Sequence, residues 1–186
     1  MLPYFFQNPR RTGALWSSSQ HLAEVITKNI GIEQAAHIIE IGPGTGAFTK
    51  VILRKKPDTA TFFAIEINPK IAENLRARFP SLDIAVSNAE SLQEMMQERG
   101  MPSADVIVSG IPWALLSSSE QRRILESICN ALRPGGYFAT FAYRFIPSIG
   151  GRGFRKKLYS GIFSEIRKSE LVLDNIPPAF VYYCKK

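Results

Sequence analysis

Hydrophobic and polar positions follow two different periods along most of this chain. Runs of consecutive apolar residues predict buried strands at 37–42, 61–67, 82–87, 104–110 and 136–143. Apolar residues that recur three or four positions apart predict helices at 17–31, 47–55, 69–79, 89–99 and 119–132. Strands that alternate with amphipathic helices are typical of a parallel sheet covered on both faces. We therefore expect an α/β fold.

The pattern changes after Tyr143. Residues 144–165 form a basic, glycine-containing insertion, and two extended segments follow at 163–173 and 179–185, separated by the sequence DNIPP. Two strands so close together most simply pair antiparallel at one edge of the sheet, which would complete seven strands. We expect a single domain over residues 1–186, and its first part, residues 1–17, is an aromatic and basic leader.

Composition restricts the class of protein. The 186 residues are 45% hydrophobic and 21% charged, which is typical of a folded globular chain. The two cysteines, Cys129 and Cys184, are too few and too far apart to predict a disulfide framework or a metal site. No apolar stretch approaches the roughly 20 residues that span a bilayer, so we expect a cytoplasmic protein that binds membranes peripherally at most.

The first chemical motif is IIEIGPGTGAF. Glu40 ends a predicted strand, and Gly42, Gly44 and Gly46 form the turn into a helix. Glycine lets a ligand approach the backbone closely, and the start of the helix offers unpaired N–H groups. A dinucleotide fingerprint has its third glycine one residue later, where this chain has Ala47.

Two further polar residues stand at the ends of the next strands. Glu66 ends the second strand, 20 residues beyond Gly46, and can accept both hydroxyls of a ribose. Asn88 follows the third strand and can bond the edge of an adenine. Open α/β sheets bind ligands at the carboxyl ends of their strands, so the three signals together predict a nucleoside cofactor.

At these residues the chain resembles the class I S-adenosylmethionine-dependent methyltransferases over about 18–186. That family has a Rossmann-like sheet of seven strands, mostly parallel with an antiparallel last strand, and the resemblance implies S-adenosyl-L-methionine as cofactor. Ser18 and Ser19, which the resemblance places at the cofactor, are explained equally well as caps of the first helix. The implied cofactor-binding residues are Ser18, Ser19, Gln20, Glu40, Ile41, Gly42, Pro43, Gly44, Thr45, Gly46, Glu66, Ile67, Asn88, Ala89, Ser109 and Gly110.

The methyl acceptor is indicated by the sequence SGIPW at the end of the fourth strand. The chain also resembles the ribosomal RNA adenine dimethyltransferases, whose equivalent motif is N/D-x-P-Y/F. Aligning the prolines puts Gly110 where their amide would orient the adenine amine. Its absence argues against nucleic acid, although Trp113 can still stack on a base.

An alkyl amine needs chiefly proximity and alignment once it is deprotonated. The motifs EIGPGTGAFT, LRPGGYFATFAY and NIPPAFVYY resemble those of the bacterial phospholipid N-methyltransferases, which implies a phosphatidylethanolamine-type substrate. The implied substrate contacts are Ile111, Pro112, Trp113 and Tyr143, with Tyr143 near the reacting amine. An RNA adenine methyltransferase, a small-amine methyltransferase and a non-catalytic lipid-binding protein remain alternatives, and a core position remains one for Tyr143. No histidine is expected near the strand ends.

Charge and aromatic residues predict an anionic membrane surface as partner. The chain carries 23 Lys and Arg against 16 Asp and Glu, a net charge of +7. Seven of those cations and one acid lie between Arg144 and Lys168. A solvated basic face or an RNA-tracking patch would give the same composition. The predicted membrane contacts are Phe5, Phe6, Arg10, Arg11, Arg152, Arg155, Lys156 and Lys157.

Overall fold

A computed structural model describes residues 18–144, 149–158 and 160–186. The strands are β1 (His37–Ile41), β2 (Thr61–Glu66), β3 (Asp83–Val86), β4 (Ala104–Ser109), β5 (Leu132–Tyr143), β6 (Glu165–Lys168) and β7 (Ala179–Lys185). The α-helices of these residues are α1 (Gln20–Ile26), α2 (Ala47–Lys55), α3 (Pro69–Arg78), α4 (Leu92–Glu98), α5 (Ser118–Ala131) and α6 (Ile149–Leu158).

The strands form a seven-stranded sheet in the order β3-β2-β1-β4-β5-β7-β6. The first five strands pair in parallel, with Glu40 of β1 between Ala64 of β2 and Val108 of β4. β7 runs antiparallel to both β5 and β6, so the last two strands form the expected antiparallel pair at one edge. The predicted α/β fold with an antiparallel last strand is confirmed.

Each face of the sheet buries its own hydrophobic core. One core contains Leu22 of α1, Phe48 of α2 and Leu75 of α3. The other contains Leu125 of α5 and Phe154 of α6, together with residues of α4. Because side chains alternate along a strand, β1 contributes to both cores. Helices therefore cover both faces, as the apolar runs in the strands require.

The structure differs from the sequence pattern mainly after β5. The expected basic insertion contains α6, whose Phe154 and Leu158 are buried. Glycines lower helix propensity, so burial of its apolar residues is what stabilises this helix. β6 ends at Lys168, well before residue 173, and a loop takes the remaining residues to β7.

The first helix is also shorter than its periodicity indicates. α1 ends at Ile26, and Asn29 has a positive φ of 56° that a helix does not allow. The predicted helix at 89–99 begins as a 3-10 turn at Ala89–Ser91 before α4. Within the described residues, no helix has the length and hydrophobicity needed to cross a bilayer.

Candidate active site

The polar residues predicted from the sequence gather at the carboxyl edge of β1, β2, β3 and β4. Ile41 pairs with Ile65 on one side and with Ser109 on the other, so the segments that follow these strands emerge side by side. On the next strand, Glu66 pairs with Val86, which brings Asn88 to the same edge. The glycine loop, the acidic strand end and the segment after β4 thus surround one region.

The glycine loop between β1 and α2 requires its glycines for different reasons. Gly42, Gly44 and Gly46 all have positive φ, between 54° and 79°. A Cβ on Gly46 would lie 2.6 Å from the Phe79 ring, so this glycine permits packing of the loop against α3. A Cβ on Gly44 would meet no atom within 4 Å, so the backbone there borders open space that a ligand can use.

Glu66 connects the glycine loop to the turn after β2. Its side chain is buried, and Oε1 accepts a hydrogen bond of 2.9 Å from the N–H of Asn68. Burial raises the pKa of the Glu66 carboxyl above its ordinary value, while hydrogen bonds from the N–H groups of Asn68, Gly44 and Ile67 oppose that rise. The carboxylate is therefore held in a fixed orientation beside Gly44.

Glu40 lies fully buried beneath the glycine loop. Its Oε2 accepts a hydrogen bond of 2.6 Å from Oγ1 of Thr49, and no described residue donates to Oε1. Burial raises the pKa of Glu40 to about 8; hydrogen bonding by Thr49 opposes the rise, and the charge of Glu66 adds to it. A buried polar atom without a hydrogen-bond partner suits a site that is completed by a group the protein itself does not supply.

Apolar side chains border the outer end of this region. Ile67 is 65% exposed and Val86 is 46% exposed, although both follow directly from buried strand residues. Asn88 follows Val86 by two residues, and its Oδ1 accepts from the N–H of Glu90 and caps the 3-10 turn that begins at buried Ala89. Exposed aliphatic surface beside polar groups suits the flat face of a nucleobase.

These features fit S-adenosylmethionine. The open backbone at Gly44 suits close approach of its methionine and ribose portions, Glu66 suits the ribose hydroxyls, and Ile67 with Asn88 and Ala89 suits the adenine. Ile41 and Pro43 are buried and support the loop from below. Thr45 is held by its carbonyl, which accepts a hydrogen bond of 2.8 Å from Nη1 of Arg78.

Gly110 is required by packing. A Cβ at this position would lie 2.3 Å from the carbonyl oxygen of Gly42, a backbone atom that cannot move aside. The segment after β4 and the glycine loop therefore touch through their main chains. The sequence showed glycine where the adenine methyltransferases have an amide side chain. The close contact with Gly42 gives a steric reason for that difference.

The segment after Gly110 is fixed by buried polar contacts. Nε1 of Trp113 donates to Oγ1 of Thr140 at 2.8 Å, and Thr140 in turn donates to the carbonyl of Ser109 at 3.4 Å. Nε2 of Gln121 donates to the carbonyls of Trp113 at 2.7 Å and Leu116 at 3.3 Å. Strand β5 and helix α5 thereby hold the loop from both sides.

Trp113, a predicted substrate contact, is buried. Its ring stacks on Phe154 of α6 with centroids 4.4 Å apart and an interplanar angle of 14°. The sequence did not predict this stacking, because Phe154 comes from a segment with no clear sequence pattern, and contact of Trp113 with a substrate stays a prediction. Ile111 and Pro112 are half-buried and remain predicted substrate contacts.

Tyr143 lies half-buried at the end of β5, on the face covered by α1. Its ring packs edge-on against Phe141 at 5.2 Å, and burial raises the pKa of its phenol. Its contact with a substrate amine stays a prediction. Tyr182 and Tyr183 point into opposite cores, as strand alternation indicates, and the Tyr183 hydroxyl donates to the carbonyl of Val25.

The start of α1 reaches the same edge of the sheet, farther along. Oγ of Ser19 accepts from the N–H of Leu22, so this serine acts as the helix cap, while Ser18 and Gln20 flank it. The N–H of Ser19 donates to Oδ1 of Asn175 at 2.9 Å. Nδ1 of His21, in α1, lies 2.9 Å from Oδ1 of Asp174. That no histidine lies near the reacting strand ends stays a prediction.

The predicted membrane residues divide into three groups. Phe5, Phe6, Arg10 and Arg11, and the side chain of Arg152, lie outside the described residues. Arg155 and Lys156 are exposed on α6. Lys157 instead points inward, where its Nζ donates to Oε1 of Gln121 at 3.1 Å.

Sequence reasoning missed the residues that hold the loop after β4. Gln121 and Thr140 are fully buried polar residues within otherwise ordinary helix and strand patterns. The only available signal was the position of Gln121 on the apolar face of α5, among Ile124, Leu125 and Ile128. A polar residue on a buried face indicates hydrogen-bonding partners, but not which ones.

A doubly covered sheet of this order, with a nucleoside site at its carboxyl edge, defines a class I methyltransferase. Comparisons with known proteins agree. A family model described as a methyltransferase domain matches residues 38–136, and the chain is 30% identical over 186 residues to an ornithine lipid N-methyltransferase from Singulisphaera acidiphila. That alignment covers 97% of this chain and 92% of the relative.

The chain belongs to the class I S-adenosylmethionine-dependent methyltransferases, and S-adenosyl-L-methionine is its cofactor. A ribosomal RNA small subunit methyltransferase A from Malacoplasma penetrans is 26% identical over 58% of this chain and 38% of its own length. An O-methyltransferase from Bacillus cereus, solved with S-adenosylhomocysteine, shares the fold with a TM-score of 0.72 at 14% identity, covering 96% of this chain and 87% of that one.

Proposed function

We propose that this methyltransferase transfers methyl groups to the primary amine of an aminolipid head group at a membrane surface. The observation that carries the proposal is the contact between Gly110 and the Gly42 carbonyl, which leaves no room for the amide that an adenine acceptor needs. Similarity over nearly the whole length to an ornithine lipid N-methyltransferase supports a lipid acceptor.

The acceptor has the chemistry of an alkyl amine on an amphiphile. Both a phosphatidylethanolamine-type head group, implied by the motifs, and an ornithine head group, suggested by the relative's name, carry such an amine. A deprotonated alkyl amine is already a good nucleophile, so a site without a dedicated base near the reacting atoms is adequate. The assay below separates the two head groups.

The chain's own residues would act by binding and alignment. Glu66 would hold the ribose and the glycine loop would hold the amino acid portion, while Ile67, Asn88 and Ala89 border the base. When bound, S-adenosylmethionine supplies an electrophilic methyl group on a positively charged sulfur. Tyr143, Ile111 and Pro112 would surround the amine, and the fixed loop after β4 would set its direction of approach.

The membrane surface is supported by charge. The net charge is +7, and Arg155 and Lys156 project from α6, which begins at the carboxyl edge soon after β5. Each basic residue near an anionic surface contributes on the order of 1 kcal/mol to binding. Docking by this edge would present the active site to the head groups.

An assay with methyl-labelled S-adenosylmethionine tests the proposal. Four acceptors are compared: vesicles containing phosphatidylethanolamine, vesicles containing an ornithine lipid, unmodified ribosomal RNA, and soluble ethanolamine. We expect label in one or both lipids, and none when Glu66→Ala replaces the wild-type protein. Label only in soluble ethanolamine would contradict the lipid acceptor.

RNA is the second candidate function. The resemblance to ribosomal RNA methyltransferases covers 58% of this chain, and the same positive charge would attract phosphates. Label confined to the RNA arm would establish that alternative.

A further inference from the structure

The loop between Val172 and Ala179 presents an apolar tip at the carboxyl edge of the sheet. Among the large apolar side chains that the structure describes, Leu173 at 71% and Ile176 at 74% are the most exposed. These two aliphatic side chains are three positions apart. Their exposure to water is unfavourable unless a partner covers them when the protein functions. We call residues 173–178 the apical loop.

The apical loop is closed and held at its base. Val172 and Ala179 exchange two backbone hydrogen bonds, of 2.8 and 3.2 Å. Asn175 points inward, is 2% exposed, and donates from Nδ2 to the carbonyl of Pro177 at 2.7 Å. Pro177 and Pro178 further restrict the backbone. Leu173 and Ile176 are thus directed outward by a preorganised support.

The loop is attached to the start of α1 and to the end of β5. Oδ1 of Asn175 accepts from the N–H of Ser19, and Asp174 pairs with His21, which ties the loop to the start of α1. At its other end the carbonyl of Pro178 accepts from the N–H of Arg144, directly after Tyr143. In the sheet, only β5 separates β4 from β7, the strand that follows the loop.

Charge favours a lipid surface as the occupant. Exposed Arg144 lies beside the loop, and Nζ of Lys168 lies 4.3 Å from the centre of the Phe180 ring, two residues after it. The acid within the loop, Asp174, faces His21, whereas Glu170 precedes the loop. Aliphatic residues flanked by cations suit the boundary between acyl chains and anionic head groups.

We propose that Leu173 and Ile176 insert into the lipid bilayer and dock the entrance of the active site on the membrane. This inference rests on the proposed lipid substrate but concerns a different surface from α6. Insertion of aliphatic side chains depends little on salt, whereas binding by surface charges weakens as salt is added.

Vesicle co-sedimentation without S-adenosylmethionine tests the docking independently of any reaction. The vesicles contain phosphatidylethanolamine and phosphatidylglycerol, and high salt suppresses the contribution of charge. We expect Leu173→Ser/Ile176→Ser to lower the partition coefficient about tenfold. The matched control Leu173→Met/Ile176→Val keeps the apolar surface and should bind as the wild type does.

Two further measurements separate the remaining outcomes. Methyl transfer to short-chain, monomeric forms of phosphatidylethanolamine and of ornithine lipid is measured together. It should be equal in the serine variant and the wild type, because the site itself is unchanged. Failure of all proteins in that assay would count against the proposed function and leave the vesicle result to decide the docking. Unchanged vesicle binding by the serine variant would overturn the docking. If that variant kept vesicle binding but lost self-association in sedimentation velocity, the loop would be covered by a second copy of the chain.

Discussion

Gly110 is the residue at which sequence and structure bear most directly on the acceptor. Its main chain touches the carbonyl of Gly42, so any side chain would push the loop after β4 away from the glycine loop. An adenine-type site with an amide at this position requires a different path of the backbone. The proposal of an alkyl amine acceptor therefore depends on a contact between two main-chain segments.

The contact predicts a cost for the smallest side chain. Gly110→Ala should destabilise the protein by about 1–3 kcal/mol, because overpacking against the backbone forces it to shift. Gly153→Ala in α6 is the matched control: its Cβ would make only ordinary contacts beyond 3.6 Å, so we expect neutral or raised stability. Urea unfolding measures both, and equal stability of the two variants would contradict the close contact.

Glu40 gives the protein a specific dependence on pH. Its pKa is about 8 in the folded protein and 4.5 in the unfolded chain, so the folded state retains a proton that the unfolded state releases between these values. The contribution of Glu40 to stability is thus complete below pH 4.5 and is lost as pH rises to about 8, by up to about 1.4 kcal/mol per pH unit.

Glu40→Gln removes this titration and keeps an acceptor for Thr49. The free energy of unfolding, measured by urea at several pH values between 5 and 8, should fall less steeply with pH in the variant than in the wild type. Parallel curves would mean that Glu40 is ionised in the folded protein.

Helix α6 and the loop after β4 are packed together as one structural unit. Phe154 stacks on Trp113, and Lys157 reaches Gln121, which holds two carbonyls of the loop. A helix with exposed cations is thereby connected to the loop that carries the predicted substrate contacts. Displacement of α6 would alter that loop before it altered the cofactor region.

Gln121 is the positioning residue of this unit. Gln121→Leu removes the side-chain donor to the carbonyls of Trp113 and Leu116 and leaves Trp113 only the 3.2 Å bond from the N–H of Leu116. We expect a loss of about 1–3 kcal/mol in stability. Methyl transfer should fall while S-adenosylmethionine affinity, measured by calorimetry, stays unchanged. Gln93→Leu, at an exposed position of α4 where Nε2 donates to the carbonyl of Ser127 at 3.4 Å, should change neither. Loss of cofactor affinity in Gln121→Leu would refute this role.

The exposed cations of α6 have a separable role. Arg155→Ser/Lys156→Ser should weaken binding to anionic vesicles by about 2 kcal/mol at low salt, and by less as salt increases. The control Lys28→Ser/Lys50→Ser changes the net charge equally, at exposed positions of the opposite face. Equal weakening by both pairs would indicate attraction by net charge alone.

The sequence predicts those helices and strands whose position follows from the local periodicity of apolar residues. The helix predicted at 47–55 matches α2, and the five parallel strands lie where apolar runs place them. Helix α6 was not predicted, because its stability comes from burial of Phe154 and Leu158 against distant residues. The burial of Trp113 depends on the same tertiary contact, so it could not be predicted for the same physical reason.

In the whole molecule, the predicted cofactor-binding residues lie at the carboxyl edge of the sheet. The parallel order of β1 to β5 brings the cofactor motifs together, because carboxyl ends of parallel strands lie on the same side. The motifs therefore located the cofactor region from the sequence. The apical loop could not be located in this way, since only the antiparallel return of β7 and the inward turn of Asn175 direct Leu173 and Ile176 outward.

Mass spectrometry of lipids after reaction tests the central claim most directly. The protein is incubated with S-adenosylmethionine and vesicles that contain phosphatidylethanolamine, ornithine lipid and an anionic lipid, together with ribosomal RNA in the same tube. We predict that an amine head group gains one or more methyl groups, located by fragmentation on the nitrogen. Unmodified lipids alongside methylated adenine in the RNA would contradict the account.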